Sequence, residues 1–407
     1  MSPNLKSALG QTVNTHYRLQ RPERQWYNTD VLFLSLSFST LAIVALAART
    51  FWALRRFRYR PAEDSVAQDD LPTVSVCIAA RNETHALAHC LEHVLKSDYK
   101  KLEVLVLDDS STDDTSLIIK SFAHAGVRFV PGKTLPEGWL GKNHAYQTLI
   151  DEASGELALF LDVDTHLGET TVSRLVAQLN VHQRSMISVL PRRDDGLRFS
   201  AVFGTLRYYW ELLLTTPASP PASSALWMVR LDALRQTGIG LENYGMSVRP
   251  ERHLARQLQR EKRYYYLIGT PELEVTYEKR LRSQYETALR LYYPMNGRSL
   301  PRFAAAVVFL LGLLIPLLIL VSGPTAWAGW WALTLVVAVA LSFGAFTRRT
   351  YARSVWFVRT AIGPLLVIQE LPLLVISYWR YRLGQVTWKG RLVNAQPSRR
   401  DSIRLGD

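Results

Sequence analysis

Cysteine is nearly absent from this 407-residue chain: Cys77 and Cys90 are its two thiols, one in an apolar strand pattern and one in a helical pattern. They form no C-x-x-C pair, so neither a zinc framework nor a disulfide scaffold is expected, in keeping with a reducing compartment. No G-x-G-x-x-G follows the first apolar strand, which weighs against a dinucleotide enzyme. The P-loop pattern G-x-x-x-x-G-K-[ST] is missing as well. Acidic residues are outnumbered, 35 Asp and Glu against 48 Lys and Arg, a net charge of +13. Such an excess suggests nucleic acid, but the arginines cluster beside apolar runs. Anionic lipid headgroups are the simpler partner, and no nucleic acid is expected.

What is present begins with a charge-free run at residues 31–47, extended by Phe51, Trp52 and Leu54. Its length is about enough to cross a hydrocarbon core. A cleaved signal peptide is the rival, since Ala45-Leu46-Ala47 fits a small-residue cleavage site. The polar lead over 1–30 is too long for that, and Arg49, Arg55, Arg56, Arg58 and Arg60 follow. Positive charge after a span marks the cytoplasmic side, so residues 31–54 read as an anchor with the next domain inside the cell. Residues 55–72 are a basic and polar linker.

From residue 73 apolar strands and helical patterns alternate: VSVCIAA (74–80), a helix over 85–97, LEVLVL (102–107), a helix over 116–125, VRFV, a helix over 143–153, and LALFL (157–161). Near-continuous apolar strands separated by helices predict a mostly parallel α/β sheet covered on both faces. Ligands bind such sheets outside the carboxyl ends of the strands. Three polar strand ends meet that condition: Arg81-Asn82-Glu83, Asp108-Asp109-Ser110-Ser111-Thr112, and Asp162-Val163-Asp164. Each alone has an ordinary explanation, such as a helix cap at Ser111 or Asp113. Together they point to a ligand. Two carboxylates at a strand end suit a hard cation, Mg²⁺ or Mn²⁺, shared with substrate phosphates. In PEGWLGKNHA, Lys142 lies beside a helix N-terminus, which suits a diphosphate. His166 is open between a further ligand and a loop residue.

The order IAARNE, LDDSSTDDT, LPEGWLGKNHA, LFLDVDT resembles the inverting family-two glycosyltransferases of GT-A fold. Membrane-bound bacterial enzymes that glycosylate lipids, hopanoid-associated and carotenoid, are similar in style. The resemblance implies a GT-A domain over 73–276 that takes a nucleotide-diphosphate sugar, with UDP-glucose as the default donor, and a membrane lipid as acceptor. By the resemblance, Ala80, Arg81 and Glu83 line the nucleotide pocket, Asp109 meets the nucleobase and Lys142 the nucleotide. Asp162 would hold ribose or metal, and Asp164 would hold the metal.

Two departures matter. The family shows Glu-Asp before a helix continuing Leu-Ala-Arg; here Pro250-Glu251 stands there, so Glu251 falls on the position of the base. A carboxylate one methylene longer can still accept a proton, though Pro250-Glu251 also reads as an ordinary helix start with an acid in its first turn. Glu242 and Glu211 are the alternatives. The Q-x-x-R-W signature of processive synthases is missing between residues 277 and 298, which favours transfer of one sugar. Instead, 277–302 is basic and Tyr-rich, expected as an interfacial helix. FGTLRYYWELLL (203–214) is open between an amphipathic helix on the bilayer and a core helix.

Residues 303–346 hold two more apolar runs split by Ser322-Gly323-Pro324, a transmembrane hairpin flanked by arginines. Residues 355–379 are apolar but carry Arg359, Pro364, Glu370 and Pro372, so a re-entrant or interfacial segment is expected. The tail 380–407 is basic and contains VTWKGRLV, similar to a tail motif of the same lipid-directed enzymes.

Overall fold

The computed structural model describes residues 28–61, 71–216, 218–236, 241–388 and 391–393. Most of the polar lead, the linker and the basic tail lie outside them.

Helix α1 (Thr29–Arg56) covers the first apolar run and is capped by Asn28. The alternating region then gives β1 (Val74–Ala80), α2 (Leu87–Leu95), β2 (Leu102–Asp108), α3 (Thr115–Ser121), β3 (Val127–Pro131) and α4 (Gly141–Glu152). Next come β4 (Leu157–Leu161), β5 (Thr165–Leu167), α5 (Thr171–Val181), β6 (Met186–Leu190), β7 (Arg192–Arg193), α6 (Phe199–Val202) and α7 (Arg207–Leu213). The domain continues through β8 (Leu226–Arg230), α8 (Leu231–Gln236), α9 (Pro250–Arg260), β9 (Tyr264–Ile268), β10 (Val275–Tyr277) and α10 (Leu281–Met295). Three long helices follow, α11 (Leu300–Val321), α12 (Ala326–Thr350) and α13 (Arg353–Arg382), then a short hairpin, β11 (Thr387–Trp388) and β12 (Arg391–Leu392).

The central sheet has 7 strands in the order β3-β2-β1-β4-β8-β6-β9. All pairs are parallel except those of β8, which runs against β4 and β6. The strands read as expected because they are buried on both faces; every residue of β4 is buried. Phe160 of β4 stacks on Trp227 of β8, centroids 4.0 Å apart, and Tyr146 of α4 packs on both. This aromatic layer supports the end of β4 from below.

Among the described residues four helices are long and apolar enough to cross a membrane: α1, α11, α12 and α13. Phe33, Leu41, Leu318, Trp330, Leu341 and Phe357 all lie exposed on them, an apolar belt that in water would be a liability. Of the forms expected for 355–379, the re-entrant one is not taken. The segment is one continuous helix through Pro364 and Pro372. Its polar residues do not face outward. Arg359 donates to the carbonyls of Ala201 and Val202 at 2.6 and 2.9 Å. Glu370 accepts from Leu206 N at 3.0 Å and from the side chains of Trp210 and Tyr292. Ser377 accepts from Tyr293 N at 3.0 Å. One face of α13 is therefore docked on α6, α7 and α10 along most of its length, while Phe357, Leu365, Ile368 and Trp379 stay exposed.

The stretch 203–214 resolves as a core element. Its helix starts only at Arg207, and Arg207, Tyr209, Glu211 and Leu212 are buried. Arg49 of α1 donates to Leu213 O, and Thr50 shares a 2.5 Å hydrogen bond with Tyr209. The anchor is thus tied directly to the domain.

Candidate active site

The three polar strand ends meet at one edge of the sheet because β1, β2 and β4 are neighbours in register: Ala80 pairs with Asp108, and Ile78 with Leu161. The first two loops are stitched together. Asn82 N donates to Ser111 Oγ at 3.0 Å, Thr112 N returns to Asn82 Oδ1 at 2.8 Å, and Glu83 N reaches Thr115 Oγ1 at 2.8 Å. Arg81 donates to the carbonyls of Asp109 and Ser110. Both loops bend through left-handed backbone, at Asn82 (φ 51°) and Ser110 (φ 55°). Ala80 is fully buried beneath them and its carbonyl accepts from Asp109 N at 2.8 Å. Asp113 takes hydrogen bonds from Thr84 and Thr115, which hold its carboxyl at about 2, below the ordinary value, despite the cost of burial.

Asp162 and Asp164 follow β4. The turn between them is pinned on both sides, Asp162 N to Ala225 O at 2.9 Å and Glu278 N to Asp164 O at 3.1 Å. Each carboxylate has its own lysine. Lys142, in the first turn of α4, bonds Asp162, and Lys279 lies 3.1 Å from Asp164. Burial alone would raise the carboxyl pKa of Asp162, but Lys142, Lys279 and Arg290 outweigh it and hold it below the usual range. For Lys142 the same pair outweighs burial in the other direction and keeps the ammonium charged. All four side chains remain 18–29% exposed. Among the described residues no three His, Cys, Asp or Glu groups already surround a cation. The donor set nonetheless fits a hard cation of the kind that takes one or two carboxylates and completes its shell with phosphate oxygens.

Glu251 sits in the first turn of α9, with Pro250 before it and Arg249 at the cap. It is 1% exposed. Arg249 contacts Glu251 Oε1 at 3.4 Å and also bonds Glu211, which Arg207 approaches at 3.4 Å from its other side. The two candidate bases are therefore bridged by one guanidinium. Burial pushes the Glu251 carboxyl up, against the pull of Arg249 and Lys142. Glu242 lies apart from this network, exposed in the short turn Leu241–Tyr244. The loop leading to Glu251 is held by the loop that bears Lys142. Asn143 Nδ2 donates to the carbonyls of Tyr244, Gly245 and Ser247 at 3.0, 2.8 and 2.8 Å, and Leu140 N to Gly245 O at 2.8 Å.

Sequence reasoning missed Lys279, Arg290, Arg249 and Arg391. The first two belong to the stretch read as an interfacial helix. Lys279 instead faces Asp164, and Arg290 is half-buried near Asp162 and Glu251, where desolvation brings it down to about 10. Arg391, from the tail hairpin, reaches both carboxylate oxygens of Asp109 at 3.1 and 2.9 Å. Gly141 allows this contact, since a Cβ there would collide with Arg391 and approach Asp109 Oδ2 to 2.8 Å. The nearest signal for Arg391 was the VTWKGRLV motif, which carried no indication of its partner.

A parallel sheet with one reversed strand, and acids and lysines gathered at its strand ends, defines a GT-A fold. The chain aligns over 86% of its length with 98% of the mannosyltransferase PcManGT of Pyrobaculum calidifontis, solved in complex with GDP-Man and Mn2+, at TM-score 0.53 and 17% identity. Residues 75–237 match the family model Glycosyl transferase family 2, and this domain belongs to the family-two glycosyltransferases. The 4,4'-diaponeurosporenoate glycosyltransferases of Staphylococcus aureus strains bovine RF122 / ET3-1 and MRSA252 are 30% and 31% identical over 145 and 144 residues. Those stretches are 33% of this chain and 36% of the relatives, so the chain spans about a third of the length of the curated relatives it matches.

Proposed function

We propose that the chain is an inverting glycosyltransferase that moves one sugar from a nucleotide-diphosphate sugar, UDP-glucose by default, to a membrane lipid. The observation that carries this reading is the pairing of Asp162 with Lys142 and Asp164 with Lys279 at the end of β4. Two carboxylates and two ammoniums on one partly exposed floor offer a cation its oxygens and a diphosphate its counter-charges. Ala80, Arg81, Glu83 and Asp109 form the adjoining wall for the nucleoside. A divalent cation held by Asp164 and Asp162, Mg²⁺ or Mn²⁺, would neutralise the departing diphosphate as a Lewis acid.

Lys142 and Lys279 shift from the carboxylates to phosphate oxygens as the donor enters. Glu251 takes the proton of an acceptor hydroxyl, and the freed oxygen attacks the anomeric carbon from the face opposite the diphosphate. Its raised proton affinity suits that task. A carboxylate acceptor would need no base, and the replacement of the family's Glu-Asp by Pro250-Glu251 would then carry no penalty. The likeness to carotenoid-acid glycosyltransferases supports this acceptor class.

The exposed apolar sides of α1, α11, α12 and α13 support a multi-pass cell-membrane protein with a cytoplasmic catalytic domain. The arginines at the inner ends of the helices would meet anionic headgroups. Since α13 is bonded to the domain at Arg359, Glu370 and Ser377, we assign it to the interface rather than to a free span.

Mass spectrometry of lipid extracts from cells with the intact protein and with Asp164→Ala tests the proposal. A lipid heavier by one hexose in the first alone is expected. Identical extracts, or a ladder of sugar additions, would overturn it.

A further inference from the structure

Three imidazoles converge beside the Asp162–Asp164 turn without belonging to the donor site. His89 and His93 lie one turn apart on α2, and β5 brings His166 against them. His89 Nε2 is 3.3 Å from His93 Nε2, and His89 Nδ1 is 3.1 Å from His166 Nε2. The ring centroids are 4.6, 4.4 and 5.1 Å apart. His93 Nδ1 lies 3.1 Å from Leu167 O. A carbonyl only accepts, so His93 Nδ1 carries a proton and its Nε2 is a free lone pair in the neutral ring. The same logic passes along the chain: His89 Nε2–H donates to His93, and His166 Nε2–H donates to His89 Nδ1.

That arrangement resembles a metal site before loading. A ligating histidine characteristically donates its second N–H to a backbone carbonyl, which fixes the ring and leaves the other nitrogen for the ion. His93 does so. Two ligands about 2.0–2.1 Å from a tetrahedral ion stand about 3.3 Å apart, the spacing of His89 Nε2 and His93 Nε2. Histidines four apart on one helix face are a known chelating spacing. His89 is exposed, so an ion and a completing water can reach it. As the rings stand they are bonded in a line and do not yet surround one point. Loading requires His89 and His166 to change tautomer, each proton leaving Nε2 for water as water returns one to Nδ1 of the same ring. The rings stay neutral, His89 releases His166, and all three Nε2 lone pairs are free for the ion. The three ligands are all imidazoles, so the set selects a borderline ion of the zinc, cobalt, nickel or copper group over Mg²⁺ or Mn²⁺.

We propose that His89, His93 and His166 form a transition-metal site separate from the donor-site cation. It would clasp α2, which follows the Arg81–Glu83 loop, to β5, which follows Asp164. The test uses the full chain in detergent, without a polyhistidine tag and stripped of metal, titrated with Co²⁺ while visible d–d absorption is followed. One equivalent should develop the bands, Zn²⁺ should abolish them, and excess Mg²⁺ should leave them unchanged. His93→Ala should weaken binding beyond the about 10–100-fold that loss of an outer partner costs, and Asp164→Ala should leave it intact. His89→Gln, at an exposed position, serves as the second variant, with thermal melting to verify the fold. Absence of bands in the wild-type chain, or equal Co²⁺ affinity in a correctly folded His89→Gln/His93→Ala chain, would overturn the proposal.

Discussion

The donor wall and the acceptor side of the site are built in opposite ways. On the donor wall, Arg81, Asn82, Glu83 and Ser111 stay near solvent and are linked by separate hydrogen bonds, each between one side chain and one backbone group. On the acceptor side, Arg207, Glu211, Arg249 and Glu251 form a charge network less than 10% exposed, in which each side chain depends on the next. The first can lose one side chain at modest cost, because each removes a single hydrogen bond near solvent. The second cannot, because a buried charge without its partner is costly. Asp162 and Asp164 lie between the two, partly exposed and matched one-to-one with lysines.

The largest effect on catalysis is expected at that boundary. Asp164→Ala should cut transfer by at least about 10²-fold, the scale seen when one preorganised charge-stabilising group is lost, with the fold unchanged by circular dichroism. The largest effect on stability belongs to the acceptor side. Arg249→Met leaves Glu211 and Glu251 buried without their bridge and should cost about 3–5 kcal/mol, read by denaturant unfolding. Arg81→Ala on the donor wall should cost no more than about 1 kcal/mol, the worth of an ordinary hydrogen bond. Equal costs would erase the contrast between the two halves.

The same contrast shows in what the sequence disclosed. Each donor-wall loop is contiguous and follows a strand whose apolar run is unmistakable, so Ala80, Arg81, Glu83, Asp109, Asp162 and Asp164 could be found by reading forward from β1, β2 and β4. The acceptor side joins residues 207, 211, 249 and 251 with residue 290 across three helices, while Lys279 comes from a separate loop to Asp164. No local spacing encodes that meeting. Lys279 and Arg290 looked like headgroup ligands because their segment is basic and Tyr-rich, a pattern shared by an interface helix and by a helix that sends its cations inward. Pro364 and Pro372, with Arg359 and Glu370, argued against a simple span, yet α13 is one continuous helix whose polar residues bond to the domain along one face.

Acidity should sharpen the account further. Burial raises the Glu251 carboxyl above the ordinary carboxylate range. A base must be ionised, so kcat/KM should climb as pH rises through that raised value. Lys142 remains charged throughout, so the limb belongs to Glu251. With Glu251→Gln the limb should vanish together with most turnover on a hydroxyl acceptor. On a carboxylate acceptor the variant should keep its activity. Lys142→Ala should act mainly on donor binding, raising the donor KM by about tenfold, as for a charged hydrogen bond of 1.5 kcal/mol or slightly more. The smallest change is expected from Arg391→Ala. Its guanidinium is 28% exposed at its contact with Asp109, so donor KM should move by no more than about fivefold, in keeping with a pair worth up to about 1 kcal/mol.

The most direct test is a turnover assay of the purified full chain in detergent with radiolabelled UDP-glucose, Mn²⁺ and extracted membrane lipids. Label should pass to the lipid fraction as a single-sugar product with the wild-type chain and fail to do so with Asp164→Ala. Donor binding without turnover in the wild type, or transfer undiminished in Asp164→Ala, would contradict the assignment of glycosyl transfer to the end of β4.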